Sequence, residues 1–338
     1  MIADLELYLS SVSMTMRSGL DRWTDGFSEQ LNTMLRFPLG WVNADGSPNH
    51  IPTGKRIRPI LLLLCTQASG GDWKQALPAA AAVELLHNFS LVHDDIQDDS
   101  PTRHGRDTVW RIWGKPNAIN IGDGLFAISY AALSELPQQG VSHEIVHQVM
   151  NIFNRTNLEL IRGQYLDMAF ERQELVSLEE YVSMIRGKSA ALIAACAQIG
   201  ALIGSGDSVC AAQYAEFGLN LGLAFQIRDD ILGVWGDPSV TGKSTATDIL
   251  ARKKSLPILH GLHADARLLS FYRNSDMSAA LVAEVITLLE QCGSLDYAKQ
   301  QETEYYEKAI NALHKTGSSG EGASILRNLA RQLLGRSH

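Results

Sequence analysis

Cysteine is scarce in this chain: Cys65, Cys196, Cys210 and Cys292 are the four in 338 residues, and no two form a Cys-x-x-Cys pair. That spacing argues against a disulfide framework or a thiolate zinc site and suits reduced thiols in a cytoplasmic protein. Blocks of basic residues are missing too. Lys and Arg number 29 against 37 Asp and Glu, a formal net charge of −8, so no nucleic-acid partner is expected. The opening residues, Met1 to Glu6, lack the basic stretch and apolar core of a signal peptide. No uninterrupted apolar run reaches the ~18 residues of a membrane span. The longest nearly apolar run, 190–204, contains Gln198 and reads as a buried helix. A soluble protein with no stable membrane insertion is the expectation.

Strand alternation is equally hard to find, whereas helical periodicity recurs from end to end. With 45% apolar residues the chain can bury a large core. Helices are predicted over 3–34, 56–69, 74–98, 117–135, 143–173, 178–204 and 208–232. Several more follow across 248–314, and a last one covers 323–334. Loops are expected at 38–54, at 101–116, and at 233–247, where Gly233, Gly236, Pro238 and Gly242 crowd together. No repeat or linker divides the chain. The reading is one all-α domain over 1–338, a helical bundle whose helices are long enough to surround a deep central cavity.

Two acidic helix ends carry the chemistry. The first lies in Leu91-Val-His-Asp-Asp-Ile-Gln-Asp-Asp99. Residues four apart share a helix face, so Asp94 and Asp98 point together with Asp95 beside them. Like charges at that spacing cost roughly 0.2–0.5 kcal/mol per pair, and carboxylates at a helix C-terminus also oppose its dipole. A divalent cation would offset both costs. A merely solvated acidic end fits less well, because Phe89, Leu91, Val92 and Ile96 interleave with the acids.

The second is Phe225-Gln-Ile-Arg-Asp-Asp-Ile-Leu232, with Gln226 one turn before Asp230. Alone it is weak, since Arg228 could simply neutralise Asp229 and Asp230. The duplication suggests two walls of one metal–diphosphate site. Basic residues are placed to complement them. Lys55 and Arg58 stand at a helix start, where backbone N–H groups favour anions. Arg103 and Arg106 follow the first acidic cluster, and Lys188 and Lys243 each lie in a Gly-Lys-Ser. Neither Gly-Lys-Ser has the context of a P-loop. His87, two turns before Asp94, reads equally as a core histidine or a substrate contact. Gln164, Tyr165 and Asp167 lie on another buried-looking helix, and spacing leaves their role open.

The ordered set GKRIRP, DDIQDDSPTRHGR, RGKSA, FQIRDD and TGK resembles the trans-isoprenyl diphosphate synthase (polyprenyl synthetase) family, and within it bacterial geranylgeranyl diphosphate synthases. The resemblance spans 54–257. It implies an isoprenoid-synthase-type bundle, Mg2+ as cofactor, isopentenyl diphosphate and an allylic diphosphate as substrates, and a homodimer. Carried over by position, Asp94, Asp98 and Asp229 are metal ligands, with Asp95 and Asp230 in the same motifs. Arg103, Lys188 and Lys243 hold the allylic diphosphate. Lys55, Arg58 and His87 contact isopentenyl diphosphate. Gln164, Asp167 and Gln226 line the cavity, and they and Ser189, beside Lys188, are expected to bind substrate.

Two positions depart from the family pattern. His104 stands where a second arginine is usual, so Arg106 or a protonated His104 is expected to take that phosphate contact. Gly233 stands where the second motif usually carries a third Asp, with Asp237 as a candidate to compensate. The implied chemistry is ionisation of the allylic diphosphate, attack by the double bond of isopentenyl diphosphate, and proton loss to the departing diphosphate. Phe89, five positions before Asp94, with the small Ser90 next to it, suggests a twenty-carbon product and fifteen carbons next. The competing functions are a class I terpene cyclase and a non-catalytic subunit of a heteromeric synthase.

Overall fold

The structure, a computed structural model, describes residues 2–49, 56–236, 246–273 and 278–335. It is all-α apart from one minimal hairpin among the described residues, and it divides into two compact units.

The first unit comprises Met1–Met150 and Ile199–Asp207. Its helices are α1 (Ile2–Trp23), α2 (Glu29–Arg36), α3 (Ile57–Ala68), α4 (Leu77–Gln97) and α5 (Val109–Leu133). The helix expected over 3–34 is two helices. Gly26 turns the chain at φ +80°, and the Ser28 hydroxyl caps α2 by accepting from the Leu31 N–H at 3.3 Å. Pro78 in the first turn of α4 costs no hydrogen bond there. Val12, Met16 and Leu20 of α1, Leu61–Leu64 of α3 and Ala79–Val83 of α4 are buried. Backbones approach closely in this core. A Cβ on Gly200 would lie 2.2 Å from the Leu62 carbonyl oxygen, and one on Gly204 2.4 Å from that of Thr66.

The loop expected over 101–116 is partly ordered. Thr102–Arg103 pairs antiparallel with Arg106–Asp107, and the two-residue turn between them, His104-Gly105, takes positive φ at both positions. Helix α5 begins at Val109, well before Pro116, and absorbs the proline through a break at Gly114, φ 81° and ψ 156°.

The second unit comprises Asn151–Gln198 and Ser208–His338. It draws on α6 (His143–Glu171), α7 (Leu178–Ile185), α8 (Ala191–Ser205), α9 (Ser208–Trp235), α10 (Thr247–Leu250), α11 (Leu256–Ala264), α12 (Ala266–Arg273), α13 (Ala279–Gln291), α14 (Ser294–Lys315) and α15 (Gly320–Leu333). Its core gathers Tyr181, Ile185, Ile227, Ile231, Val234, Ile249, Ile258, Leu259 and Val285. A capping box starts α7: Glu180 N–H donates to the Ser177 hydroxyl at 3.2 Å, and Ser177 N–H donates to the Glu180 carboxylate at 2.9 Å.

A π-turn, Arg186–Ala190, joins α7 to α8 in one helical run, Leu178–Ser205. That run matches the helix expected over 178–204, and by length and composition alone it could cross a membrane. Its apolar window is 61% buried within the fold, as a core helix would be. The end of α9 also lies further on than the glycines imply: the helix passes through Gly233 to Trp235.

Candidate active site

In the first unit, the C-terminal end of α4 presents the first acidic cluster. Asp98 is its C-cap residue and is exposed, Asp94 is half-buried, and Asp95 is buried. Of the interleaved apolar residues only Val92 is fully buried, so this helix end is more open than its sequence suggests. Arg103, delivered by the hairpin, bridges two of the acids. Its Nη2 donates to Asp94 at 3.0 Å and its Nε to Asp95 at 2.8 Å. Burial raises the Asp95 carboxyl to about 6, while the Arg103 charge pulls it the other way.

Arg58 stands in the first turn of α3 in the same unit. Its Nη1 lies 3.1 Å from His87 Nε2. Burial first, and then the Arg58 charge, holds His87 well below its usual 6.5, so the ring is neutral and its Nε2 accepts from Arg58. Spacing left His87 open between a core role and a ligand role; the structure makes it the partner of a candidate substrate cation. Two neighbours went unread in the sequence. Arg56 caps α3 in a left-handed backbone, φ 44°, and its Nε lies 3.8 Å from the buried Glu84. Glu84 stands three residues before His87, and that one-turn spacing on α4 was the available signal.

His104 and Arg106 are not equivalent substitutes for a second arginine. His104 is an exposed turn residue at φ 52°. Arg106 turns to the chain before α3, donating to the Val42 carbonyl at 2.8 Å and lying 4.3 Å over the Phe37 ring. Its guanidinium ties the hairpin to the chain that follows α2. Phe89, with Ser90 beside it, lies on α4. The Phe89 ring packs on Phe126 of α5 at 5.0 Å, and Phe126 on Tyr130 at 5.2 Å.

In the second unit, Asp229 is exposed and Asp230 is buried, so the two acids stand in different environments. Asp230 is a structural hub. It accepts from the Tyr181 hydroxyl in a short contact, from Leu256 N–H at 2.9 Å and from Gln226 Nε2 at 3.0 Å. Burial lifts its carboxyl to about 7 against those three donors, and nearby Asp248 pushes it further up. Arg228 does not neutralise the pair; it lies 3.8 Å from Glu302. Tyr181 and Asp248 carry no local sequence signal, because each reaches the acidic helix end from a distant part of the chain.

The π-turn aims Lys188 at Asp167 of α6, with which it forms an ion pair, and Ser189 donates to Gln226 at 2.5 Å. Asp167, Lys188, Ser189, Gln226 and Asp230 therefore belong to one polar neighbourhood. Gln164 is half-buried on α6, but Tyr165 next to it is 69% exposed, which corrects the buried reading of that position. Lys55, Lys243 and Asp237 lie outside the described residues.

Among the described residues no three or more His, Cys, Asp or Glu side chains form a ready-made metal cage. The donor set nonetheless fits Mg2+, which takes one or two carboxylates and completes its octahedron with water and substrate phosphate. Asp94 and Asp98, one turn apart at a solvent-facing helix end, offer that pair.

An all-α fold that carries an acidic helix end in each unit defines the class, a protein of the isoprenoid-synthase type. The polyprenyl synthetase pattern matches residues 42–289, and the chain belongs to that family of prenyltransferases. It is 38% identical over 299 residues to the geranylgeranyl diphosphate synthase of Mycobacterium tuberculosis H37Rv, covering 87% of this chain and 84% of that one. It is 34% identical over 336 residues to a (2E,6E)-farnesyl diphosphate synthase of Mycobacterium bovis, covering 96% and 90%. The crystal structure of a polyprenyl synthetase from Streptomyces coelicolor A3(2) superposes with a TM-score of 0.89 at 33% identity, covering 97% of this chain and 98% of that one.

Proposed function

We propose that this protein is a Mg2+-dependent trans-prenyltransferase that condenses isopentenyl diphosphate with an allylic diphosphate, with geranylgeranyl diphosphate as main product and farnesyl diphosphate next. The observation that carries this reading is the first acidic helix end: Asp94 and Asp98 one turn apart, with Arg103 bridging Asp94 and Asp95. Such a pairing of open carboxylates with a guanidinium suits an ion and a diphosphate together.

In this reading Asp94, Asp98 and Asp229 hold Mg2+, which when bound supplies Lewis-acid stabilisation of the leaving diphosphate. Arg103, Lys188 and Lys243 grip the allylic diphosphate, and Lys55 and Arg58 grip isopentenyl diphosphate. His87, neutral and accepting from Arg58, fixes the direction of that guanidinium. Charge that develops on the diphosphate meets donors already in place, which is where electrostatic catalysis is largest. The proton lost in the last step goes to the departing diphosphate, so no side chain acts as a nucleophile.

The product assignment rests on Phe89, backed by Phe126 and Tyr130 one helix away. The named relatives divide between geranylgeranyl and farnesyl synthases, in keeping with a site near that boundary. We further propose that the whole chain is one catalytic domain acting as a cytoplasmic homodimer. The test is incubation with Mg2+, labelled isopentenyl diphosphate and, separately, dimethylallyl, geranyl or farnesyl diphosphate. Label in longer diphosphates supports the transferase and identifies the product. Hydrocarbon formed from farnesyl or geranylgeranyl diphosphate without isopentenyl uptake would replace it with a cyclase. No turnover of any substrate would favour the non-catalytic subunit.

A further inference from the structure

The entry to α3 is strained. Arg56 takes φ 44° and ψ 45°, a left-handed backbone that is costly for an arginine, and its side chain does not cap the helix it precedes. Such a backbone persists only where its surroundings hold it. Two contacts do so. Arg56 Nη2 donates to the Leu39 carbonyl at 3.3 Å, and Arg56 Nε lies 3.8 Å from Oε1 of Glu84 on α4.

Glu84 is the unusual partner, because an acid is seldom buried. The side chains of Arg56 and Glu84 are 16% and 9% exposed, so this is not a screened surface pair. Burial raises the Glu84 carboxyl, while the charges of Arg56 and then Arg58 pull it down. Asn88, one turn further along α4, donates from Nδ2 to the Glu84 carbonyl at 2.8 Å and to Oε1 at 3.4 Å. That sets the direction of the acid.

His87, three residues after Glu84, lies 3.1 Å from Nη1 of Arg58. Residues three apart share a helix face, so α4 ties the first turn of α3 at two points along one line. The two arginines meet different chemistry there: Arg56 faces a carboxylate and Arg58 a neutral ring.

We propose that Glu84 is a positioning residue for the binding of isopentenyl diphosphate. By clamping the left-handed Arg56 it fixes the start of α3, and so the place from which Arg58 reaches the diphosphate. It acts through the two arginines and touches no substrate. This inference rests on the function proposed above and adds to it a residue outside the substrate contacts.

The experiment uses the full-length protein with Mg2+ and measures KM for isopentenyl diphosphate and for geranyl diphosphate separately. E84Q keeps the shape of the side chain and removes its charge. It is expected to raise KM for isopentenyl diphosphate by about 10- to 100-fold, the loss that a misplacement of about an ångström brings, and to leave KM for geranyl diphosphate nearly unchanged. R56G decides the matter if E84Q does not fold, since glycine takes the left-handed backbone without strain but cannot clamp it. It should raise the same KM, because the unpaired Glu84 then competes with His87 for Arg58. In R56G/E84Q neither the strain nor the unpaired acid remains, and that KM should lie below the value of either single variant, the coupling expected of a pair in contact. An unchanged KM for isopentenyl diphosphate in either single variant overturns the inference and leaves the proposed function standing. So does a parallel rise in both KM values, which would mark Glu84 as a general support of the fold. If the unaltered protein incorporates no isopentenyl diphosphate, the proposed function is overturned and this inference falls with it.

Discussion

At Asp94 and His87 the consequences of single side chains can be read directly. Asp94 pairs with Arg103 at an open helix end, so removing it costs a candidate metal ligand and leaves a guanidinium half unpaired. Asp94→Ala is expected to lower kcat by about a thousandfold or more, about 4 kcal/mol of barrier, measured as label transfer under saturating substrate. Near-normal turnover would sink the metal assignment. His87 is held neutral by burial and by Arg58. Its folded pKa lies below the unfolded value of 6.5, so as pH falls through that value the unfolded chain takes up a proton that the folded chain refuses. The stabilisation from this group is complete above about pH 6.5 and drains away below it. The urea midpoint should therefore fall more between about pH 7.5 and about pH 5.5 in the unaltered protein than in His87→Gln. Equal slopes would mean that the ring is already solvated. The acids and cations themselves were legible in the sequence. Their pairings were not: Arg106 bound to Val42 and Lys188 to Asp167 depend on where distant backbone passes.

Helix packing brings these side chains to their partners, and it does so at very short range. A Cβ on Gly163 of α6 would lie 2.0 Å from the backbone nitrogen of Lys188, and one on Gly187 2.6 Å from the Glu159 carbonyl oxygen. Backbone meets backbone at the π-turn, with no flexible side chain to give way. Gly163→Ala is expected to destabilise by about 3 kcal/mol, the upper range for overpacking, read from the urea midpoint. A change below about 0.5 kcal/mol would show that the crossing relaxes freely. A second element-scale contact is the tilted Phe89–Phe126 ring pair between α4 and α5. Phe89→Ala removes that contact, and the product profile should shift to longer chains; an unchanged profile would remove Phe89 from chain-length control. The helices were legible because their apolar residues repeat at a helical period over many turns. The hairpin and the π-turn were not, since each spans only a few residues and owes its shape to its contacts.

For the whole molecule, the family match runs through 42–289 and so draws on residues of both compact units. The proposed homodimer predicts a solution mass of twice 37.0 kDa by light scattering. A single-chain mass at micromolar concentration would overturn it. Leu158 and Ile161, 67% and 60% exposed on α6 of the second unit, are apolar residues that its own fold leaves uncovered.

What the sequence determined by itself is the all-α class, the two acidic helix ends, the cations near them and the two departures at His104 and Gly233. These follow from residue type and periodicity, which act within a few turns of chain. Tertiary structure alone decided what each departure means. His104 became a turn residue because the hairpin needs positive φ there, and Arg106 was drawn to Val42 and Phe37. At Gly233 the space a Cβ would need is taken by the Asp248 carboxylate, fifteen residues further on, in the segment that holds the buried Ile249 and the turn at Ala246. No local pattern encodes such a contact, because it depends on the path of the chain between two positions and not on either position alone.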